Sequence, residues 1–156
     1  MAARNEALVV SPGDGPTLSG RAGGYRLQTK ATNTDTGGRY AFQEMTVAAG
    51  FPWIPLHIHH HEDEALYGLA GEVTVRVGDR VHTVGPGTFV LMPRGVAHTF
   101  SNPGTIPAKV LVVSSPGAVI AYFEEAAALA NASPTGRPDP AQLAALARRY
   151  GIKFVE

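Results

Sequence analysis

The stretch Pro55–Gly71, PLHIHHHEDEALYGLAG, constrains this chain more than any other part of its sequence. His57 and His59 are two residues apart. Because side chains alternate between the two faces of a β-strand, both imidazoles point the same way if this stretch is a strand. Glu64 follows five residues later, far enough to cross a short bend and begin a second strand. Imidazole nitrogens and a carboxylate oxygen that converge on one point suit a divalent first-row metal, so the stretch predicts three ligands of a metal site.

The other histidines and carboxylates of this stretch fit the site less well. His60 has the opposite strand parity to His59 and is expected to face solvent. His61 shares the parity of His59 but precedes the bend, which leaves it as an alternative ligand or as a residue that supports a ligand. Glu62 and Asp63 are expected to be solvated charges of the loop.

The composition favours many short strands and excludes several classes of partner. Among 156 residues there are 18 glycines and 12 prolines, which indicate frequent tight turns, and 44% are hydrophobic, enough for a sizeable core. The 13 basic and 13 acidic residues balance, which leaves no electrostatic footprint for nucleic acid or a membrane surface. There is no cysteine for a disulfide or thiolate site. Since the N-terminus lacks a secretion-signal pattern and no apolar run reaches ~18 residues, we expect a cytoplasmic protein.

Turn signals divide the chain into short segments of strand character. They recur about every 6–10 residues, a spacing that predicts an all-β antiparallel sandwich or barrel over about residues 25–115. A short apolar run, Leu8–Val10, is expected to be an edge strand. With no internal repeat and no alternation of strands with helices, the whole chain, residues 1–156, is expected to form a single domain.

The end of the chain changes from strand to helical character. Ala-rich segments at about 118–130 and 139–150 have helical spacing, and a Pro- and Gly-containing break separates them. Asp139 can cap the second helix, with Pro140 at its first position. We expect the two helices to pack on the outside of the barrel; whether one of them, or the polar loop Thr32–Gly38, closes over the barrel mouth is open.

A second motif lies downstream, in the segment GTFVLMPRGVAHTFSN, where His98 follows a Pro-x-Gly turn. Together the two motifs strongly resemble those of the cupin superfamily. The first motif is carried by Gly50, His57, His59, Glu64 and Gly71, and the second by Gly87, Pro93, Gly95, His98 and Asn102. The spacer of six residues between Gly50 and His57, where cupins usually have five, is a minor departure.

The resemblance implies both a fold and a metal site. The fold is the double-stranded β-helix, or jelly-roll cupin barrel, of two antiparallel sheets. The metal ligands carried over from the motifs are His57, His59, Glu64 and His98. They are expected to hold one divalent transition metal, and Fe, Mn, Ni, Co, Cu and Zn are all compatible with this ligand set.

Apolar side chains close to the two motifs are candidate substrate-binding residues. Leu66 and Phe100 share strand parity with metal ligands. Phe42 and Met45 lie on a neighbouring predicted strand, and one of them is expected to face the metal. Apolar surroundings of this kind favour a small aromatic or enol-type substrate.

The sequence around the two motifs is similar to that of small single-domain, quercetinase-like cupins. This resemblance implies a metal-dependent dioxygenase. Glu64 would then be both a ligand and the catalytic base that accepts the substrate's hydroxyl proton. Two other functions stay open: a non-oxidative metal-dependent isomerase, cyclase or lyase of secondary metabolism, and a cupin that binds a small molecule without turnover. A homodimer is expected, with Leu8–Val10 and Tyr25–Ala31 as candidates for edge pairing.

Overall fold

The computed structural model describes residues 5–20 and 23–155. The start of the N-terminal segment, which was predicted to carry no secretion signal, lies outside the described part. Within the described residues, two antiparallel sheets are followed by two α-helices. The strands in chain order are β1 (Thr17–Gly20), β2 (Tyr25–Ala31), β3 (Ala41–Val47), β4 (His57–His59), β5 (Asp63–Ala70), β6 (Val73–Val77), β7 (Arg80–Val84), β8 (Phe89–Met92), β9 (His98–Ser101), β10 (Ala108–Ser115) and β11 (Ile152–Phe154).

The two sheets enclose one main apolar core. The larger sheet has the strand order β1-β2-β3-β10-β5-β8, and the smaller has the order β11-β4-β9-β6-β7. In β3 and β10 every second residue is buried, as the alternation of side chains along a strand requires. The core consists of Leu27, Met45, Val47, Phe51, Leu66, Val73, Val75, Val84, Met92, Ala108, Val110 and Val112. This architecture is the predicted jelly-roll β-barrel.

The N-terminal edge of the larger sheet differs from the prediction. Leu8–Val10 forms no strand, and Val9 is 85% exposed. The edge strand is instead β1. A turn in which the N–H of Asp14 donates to the carbonyl of Ser11 precedes β1, and Thr17 then pairs with Gln28 of β2. The apolar run predicted a strand from β-propensity alone, but it pairs with none of the described strands.

The C-terminal helices are α1 (Ile120–Ala132), which follows a short 3-10 turn at Gly117–Val119, and α2 (Pro140–Arg149). The carboxylate of Asp139 accepts a hydrogen bond from the N–H of Gln142 at 3.0 Å, so the predicted cap is confirmed. Gly151, with φ +70°, then ends α2 and turns the chain back toward the barrel. Neither helix has the length and apolar character needed to cross a membrane, in the part of the chain that is described.

The chain ends on a strand that the sequence did not predict. β11 pairs antiparallel with β4, so Ile152 lies opposite His59 and Phe154 opposite His57. The N–H of His60 also donates to the carbonyl of Gly151 at 2.9 Å. The C-terminal segment is therefore attached to the strand that carries the H-x-H pair.

Candidate metal centre

Four side chains from three strands meet inside the barrel. His57 and His59 lie on β4, Glu64 on β5 and His98 on β9, where His98 pairs directly with His57. One ligand atom from each residue lies within 4.8 Å of the others. His59 and His98 are each 1% exposed and Glu64 is 7% exposed, whereas His57 is only half-buried. The structure thus brings together the four residues predicted as metal ligands.

The Pro-x-Gly turn before β9 is tied to both strands of the first motif. The N–H of Gly95 donates to the carbonyl of His59 at 2.7 Å. The backbone N–H of Arg94 donates to Oδ1 of Asp63 at 2.8 Å, and its guanidinium pairs with Oδ2 at 2.9 Å. Since Asp63 begins β5, these contacts hold the start of β9 beside β4 and β5, which is how His98 is aimed at the other ligands.

Each of the three imidazoles is oriented through its Nδ1 atom. The contacts at Nδ1 are Pro55 O for His57 at 2.9 Å, Glu62 Oε2 for His59 at 3.1 Å and Val96 O for His98 at 3.0 Å. An Nδ1–H that donates to such an acceptor fixes the ring and leaves Nε2 with its lone pair available. All three rings therefore have Nε2 available to coordinate a metal.

The Nε2 atom of His59 has no hydrogen-bond partner among the described residues, although it is buried. It lies 3.7 Å from Oε2 of Glu64, and Nε2 of His98 lies 3.3 Å from the same oxygen. A buried polar atom without a partner costs about 1–3 kcal/mol, and a bound cation removes that cost. Three imidazoles and one carboxylate also match the ligand preference of divalent first-row metals. The residues present therefore fit a metal ion.

The electrostatics of Glu64 favour its ionised form. Burial alone would raise the pKa of this carboxyl, but the neighbouring imidazoles of His59 and His98 outweigh that effect and hold its pKa below the usual range. Oε1 accepts a hydrogen bond from the hydroxyl of Ser114 at 3.2 Å, while Oε2 faces the histidines. The carboxylate is thus negatively charged at neutral pH and has one oxygen directed at the metal position.

Two of the histidines have opposite pKa shifts. Burial, together with the nearby rings of His98 and His59, lowers the pKa of His57 to about 4. Burial also lowers the pKa of His59, but the charges of Glu64 and Glu62 outweigh it and raise the pKa overall. His57 is consequently neutral at pH 7, whereas at His59 a proton competes with any metal ion for the imidazole nitrogen.

Glu62 belongs to the site, and its predicted place as a solvated loop charge is wrong. It is only 4% exposed because the turn after β4 folds its carboxylate onto the ring of His59. His60 is exposed, as predicted. His61 is also exposed, with its ring over Gly151 rather than in the ligand cluster. The three-residue separation of Glu62 from His59 across a tight turn is the signal that could have found it.

A cavity of about 570 Å³ opens onto His57 and His59. On one side it is lined by the barrel, including Tyr25 and Ile54. Its other walls come from the C-terminal segment: Tyr122, Phe123, Ala126, Ala127, Leu143 and Phe154. The two helices therefore cover the end of the barrel that carries the ligands. Of the two segments considered for closing this end, a helix or a polar loop, the structure has the helices there.

The four predicted substrate-binding residues do not appear among the described residues that line this cavity. Met45 and Leu66 are buried in the barrel core, and Phe100 packs against that core with its ring centroid 6.3 Å from that of Tyr25. Phe42 lies on the other face of β3 and lines a separate surface cavity. Strand parity placed three of them inside the barrel, but the barrel interior is filled, and the open space lies at its end. Their role in substrate binding stays a prediction.

Comparison with known proteins agrees with the fold. Residues 43–114 match the model of the cupin domain family. The chain is 33% identical over 91 residues to mannose-1-phosphate guanylyltransferase 2 of Escherichia coli O157:H7, which covers 58% of this chain and 19% of that protein. It therefore spans about a fifth of the length of the guanylyltransferases it matches. It is also 29% identical over 106 residues to protein SchB of Streptomyces halstedii, covering 68% of this chain and 75% of SchB.

Among solved structures, the polyketide cyclase RemF of Streptomyces resistomycificus has the same fold. Its TM-score is 0.60 at 23% sequence identity, over 70% of this chain and 80% of RemF. This chain has a jelly-roll barrel in which three histidines and one glutamate converge as a group that could hold a metal ion. The domain match and the fold together support the cupin superfamily for this chain.

Proposed function

We propose that this chain is a metal-dependent cupin enzyme that acts on a small aromatic or enol-type substrate. The observation that supports this most directly is the cavity that joins His57 and His59 to a largely apolar wall. Its volume of about 570 Å³ is within the range of about 300–1,000 Å³ that is usual for small-molecule sites. Such a cavity suits a substrate with an apolar body and with oxygen atoms placed to reach the metal ligands.

The same lining disfavours sugar nucleotides, although guanylyltransferases are among the relatives. Arg137, which is exposed, is the only cavity-lining residue with a fixed charge in the described part of the chain. Phosphate groups are usually held by several arginines, lysines or backbone N–H groups that converge on them. A ring-containing substrate without phosphate fits this surface better.

The four ligand residues would hold the ion through Nε2 of His57, His59 and His98 and through Oε2 of Glu64. The ion would supply a Lewis acid and, where it is redox-active, the redox chemistry that dioxygen requires. Glu62 keeps the ring of His59 in place by its contact at Nδ1. His57 is only half-buried and lines the cavity, so the cavity reaches the ligands at this histidine.

Glu64 is proposed to accept a proton from the substrate as well as to hold the metal. Its pKa lies below the usual range, so the carboxylate is ionised and able to accept a proton but is a weak base. A weak base removes only a proton that is already acidic, such as that of an enol or a phenol. The electrostatics of Glu64 are therefore consistent with an enol-type substrate.

For the reaction itself we propose dioxygenation, with non-oxidative cyclisation or isomerisation as the second candidate. Enolates are electron-rich and react with dioxygen, whereas a Lewis acid alone is sufficient for carbonyl chemistry at the same ligands. The second candidate is retained because RemF, which has the same fold, is described as a polyketide cyclase. A cupin that only binds its ligand is the non-enzymatic alternative.

The test combines metal analysis of untagged protein with oxygen-uptake assays on flavonols and 1,3-diketones. Substrate loss with stoichiometric oxygen uptake supports dioxygenation. Substrate loss without oxygen uptake replaces it with the non-oxidative reaction. Thermal stabilisation by a ligand without any product points to the binding protein. Protein that retains no metal even after loading contradicts both enzymatic proposals.

We also propose that the protein is a homodimer. β2 lies between β1 and β3, so the free edges of the larger sheet are β1 and β8 rather than Tyr25–Ala31. Next to the β8 edge, Tyr67, Phe89 and Leu91 are 42%, 62% and 48% exposed on the outer face of the sheet. Apolar surface at an unpaired strand supports self-association. The molar mass in solution tests this, and a monomer at micromolar concentration would contradict it.

A further inference from the structure

Helix α1 presents small side chains to the cavity beside the candidate metal centre. Phe123, Ala126, Ala127 and Ala130 recur at the spacing of one helical face, and all four line the cavity. Ala144 of α2 lines it as well. Protein interiors are normally close-packed, and alanine side chains end at Cβ, so the space in front of this face is left open rather than filled.

Other contacts of the helices keep this wall in position. Tyr122 of α1 and Leu146 of α2 are buried in a second apolar cluster with Val119 and Ile152 of β11. Asp139 caps α2, and Gly151 connects it to β11 beside β4. Ala127 is not part of that cluster, and its side chain lines the cavity.

The opposite side of the same cavity carries two histidines of the ligand group. His59 lines the cavity, is 1% exposed, and its Nε2 has no hydrogen-bond partner among the residues described. His57 lies beside it, with a ring centroid 5.0 Å away. The cavity therefore has a polar end, formed by the two histidines, and an apolar end. This distribution of polarity is expected for a substrate with two chemically different ends.

We propose that α1 determines which substrates this protein accepts and that Ala127 is a specificity-determining residue. The substrate class is a ring-containing molecule whose metal-binding oxygens lie at one end and whose apolar body occupies the space in front of Ala126 and Ala127. This inference rests on the proposed function and adds a substrate class to it. Both helices lie beyond residues 43–114, so the selecting wall lies outside the segment that matches the cupin domain.

The experiment measures binding rather than turnover, on metal-loaded protein without oxygen. Acetylacetone and dibenzoylmethane share one 1,3-diketone group and differ by two phenyl rings, so the ratio of their affinities reports the apolar end alone. The variant is Ala127→Phe, which fills the space. The matched control is Ala128→Phe, because Ala128 is the next residue of the same helix, is exposed and does not line this cavity.

Wild type is expected to bind dibenzoylmethane at least about 10-fold more tightly than acetylacetone, since burial of an aromatic ring is worth that much or more. Ala127→Phe should reduce this ratio about 10-fold while metal content stays at the wild-type level. Ala128→Phe should keep the ratio. A less bulky variant, Ala127→Leu, should give an intermediate ratio and covers the case in which phenylalanine disturbs folding.

Two results overturn the inference: a wild-type ratio near one, or equal ratios for Ala127→Phe and Ala128→Phe in folded, metal-loaded protein. The proposed enzymatic function is tested separately by product formation under oxygen. A protein that shows the expected ratios but converts no diketone or flavonol supports the inference about α1 and contradicts the proposed reaction. The two failures are therefore distinguishable.

Discussion

The cavity has two walls that differ in polarity and in the elements that form them. The polar wall is formed by His57 and His59 of β4, and behind it Glu64 of β5 and His98 of β9 complete the ligand group. The rings and the carboxylates there are held by hydrogen bonds. The apolar wall, formed by α1, α2 and β11, is lined mainly by aromatic, leucine and alanine side chains. The polar wall lies in the barrel, and the apolar wall closes the barrel end as a separate C-terminal addition.

The two walls are subject to different physical requirements. Metal ligands must sit at fixed positions to within fractions of an ångström, which paired strands provide. An apolar wall has only to exclude water and leave the right volume, which tolerates many sequences. We therefore expect substitutions in the polar wall to remove metal and substitutions in the apolar wall to change substrate binding with the metal retained.

The largest effect is expected for His98→Ala, which removes one of the four ligands. Wild-type protein should carry about one metal ion per chain, and the variant should lose it on dialysis, because loss of a ligand costs more than the 10–100-fold in affinity typical of a supporting residue. Metal content by mass spectrometry is the measurement. His82→Ala, at an exposed histidine, is the control and should keep its metal. Equal metal content in the two variants would contradict the role of His98 as a metal ligand.

The second effect is expected for Glu62→Gln, which keeps the size of the side chain but removes the charge beside His59. Metal affinity should fall about 10–100-fold, as for other carboxylates that support a metal-bound imidazole. Competition with a chelator of known affinity measures it. Glu72→Gln is the control, because Glu72 is exposed and lies outside the ligand group. A wild-type affinity in Glu62→Gln would show that the 3.1 Å contact has no role in orienting the ring.

The same variant has a diagnostic pH dependence. Metal binding requires neutral imidazoles, and the pKa of His59 is raised, so affinity should fall as the pH drops through that pKa. His57, with its pKa lowered to about 4, is already neutral and adds no dependence near pH 7. Removing the charge of Glu62 lowers the pKa of His59, so the midpoint of affinity against pH should move to lower pH. An unchanged midpoint would exclude His59 as the titrating ligand.

The polar wall could be predicted from the sequence, whereas for the apolar wall the two helices could be predicted but not β11 or the alanine face that lines the cavity. The parity of His57 and His59 and the two spaced motifs are local patterns that survive into the structure, and all four predicted ligands meet there. The sequence marks Glu62 only by its three-residue separation from His59, because its position depends on the geometry of one tight turn. A three-residue strand such as β11 is too short to show a period. An alanine face on α1 is compatible with core, surface or cavity, so its sequence carries no preference.

A smaller effect is expected for Gly151→Ala, at the connection between the two walls. Gly151 has φ +70°, where an alanine costs about 1–2 kcal/mol, and its added methyl would collide with the ring of His61. The pairing of β11 with β4 should weaken, with faster amide exchange at Ile152 and Phe154. Gly136→Ala, at an open turn with a similar φ of +67°, carries the same strain away from β4 and is the control. Equal exchange at β11 in the two variants would show that the connection does not stabilise the apolar wall.

The smallest effect is expected for Tyr122→Phe, which changes one polar atom of the apolar wall. Burial raises the pKa of Tyr122 to about 12, with a contribution from Tyr25, so the hydroxyl stays protonated and is a hydrogen-bond donor. It lines the cavity and forms no hydrogen bond with any residue in the described part of the chain. If the substrate supplies the missing acceptor, the variant should bind it about 2–12-fold more weakly, the value of one ordinary hydrogen bond.

The stability of the same variant shows whether that hydroxyl serves binding or folding. Because the ring is retained and no intramolecular hydrogen bond is lost, the free energy of unfolding of Tyr122→Phe should equal that of wild type, and its metal content should be unchanged. A hydroxyl that stabilised the fold would instead lower the melting temperature along with substrate affinity. Weaker binding at constant stability and constant metal content would assign Tyr122 to the substrate and show that the apolar wall contributes one directional contact in addition to its volume. Unchanged binding would leave that wall with volume alone.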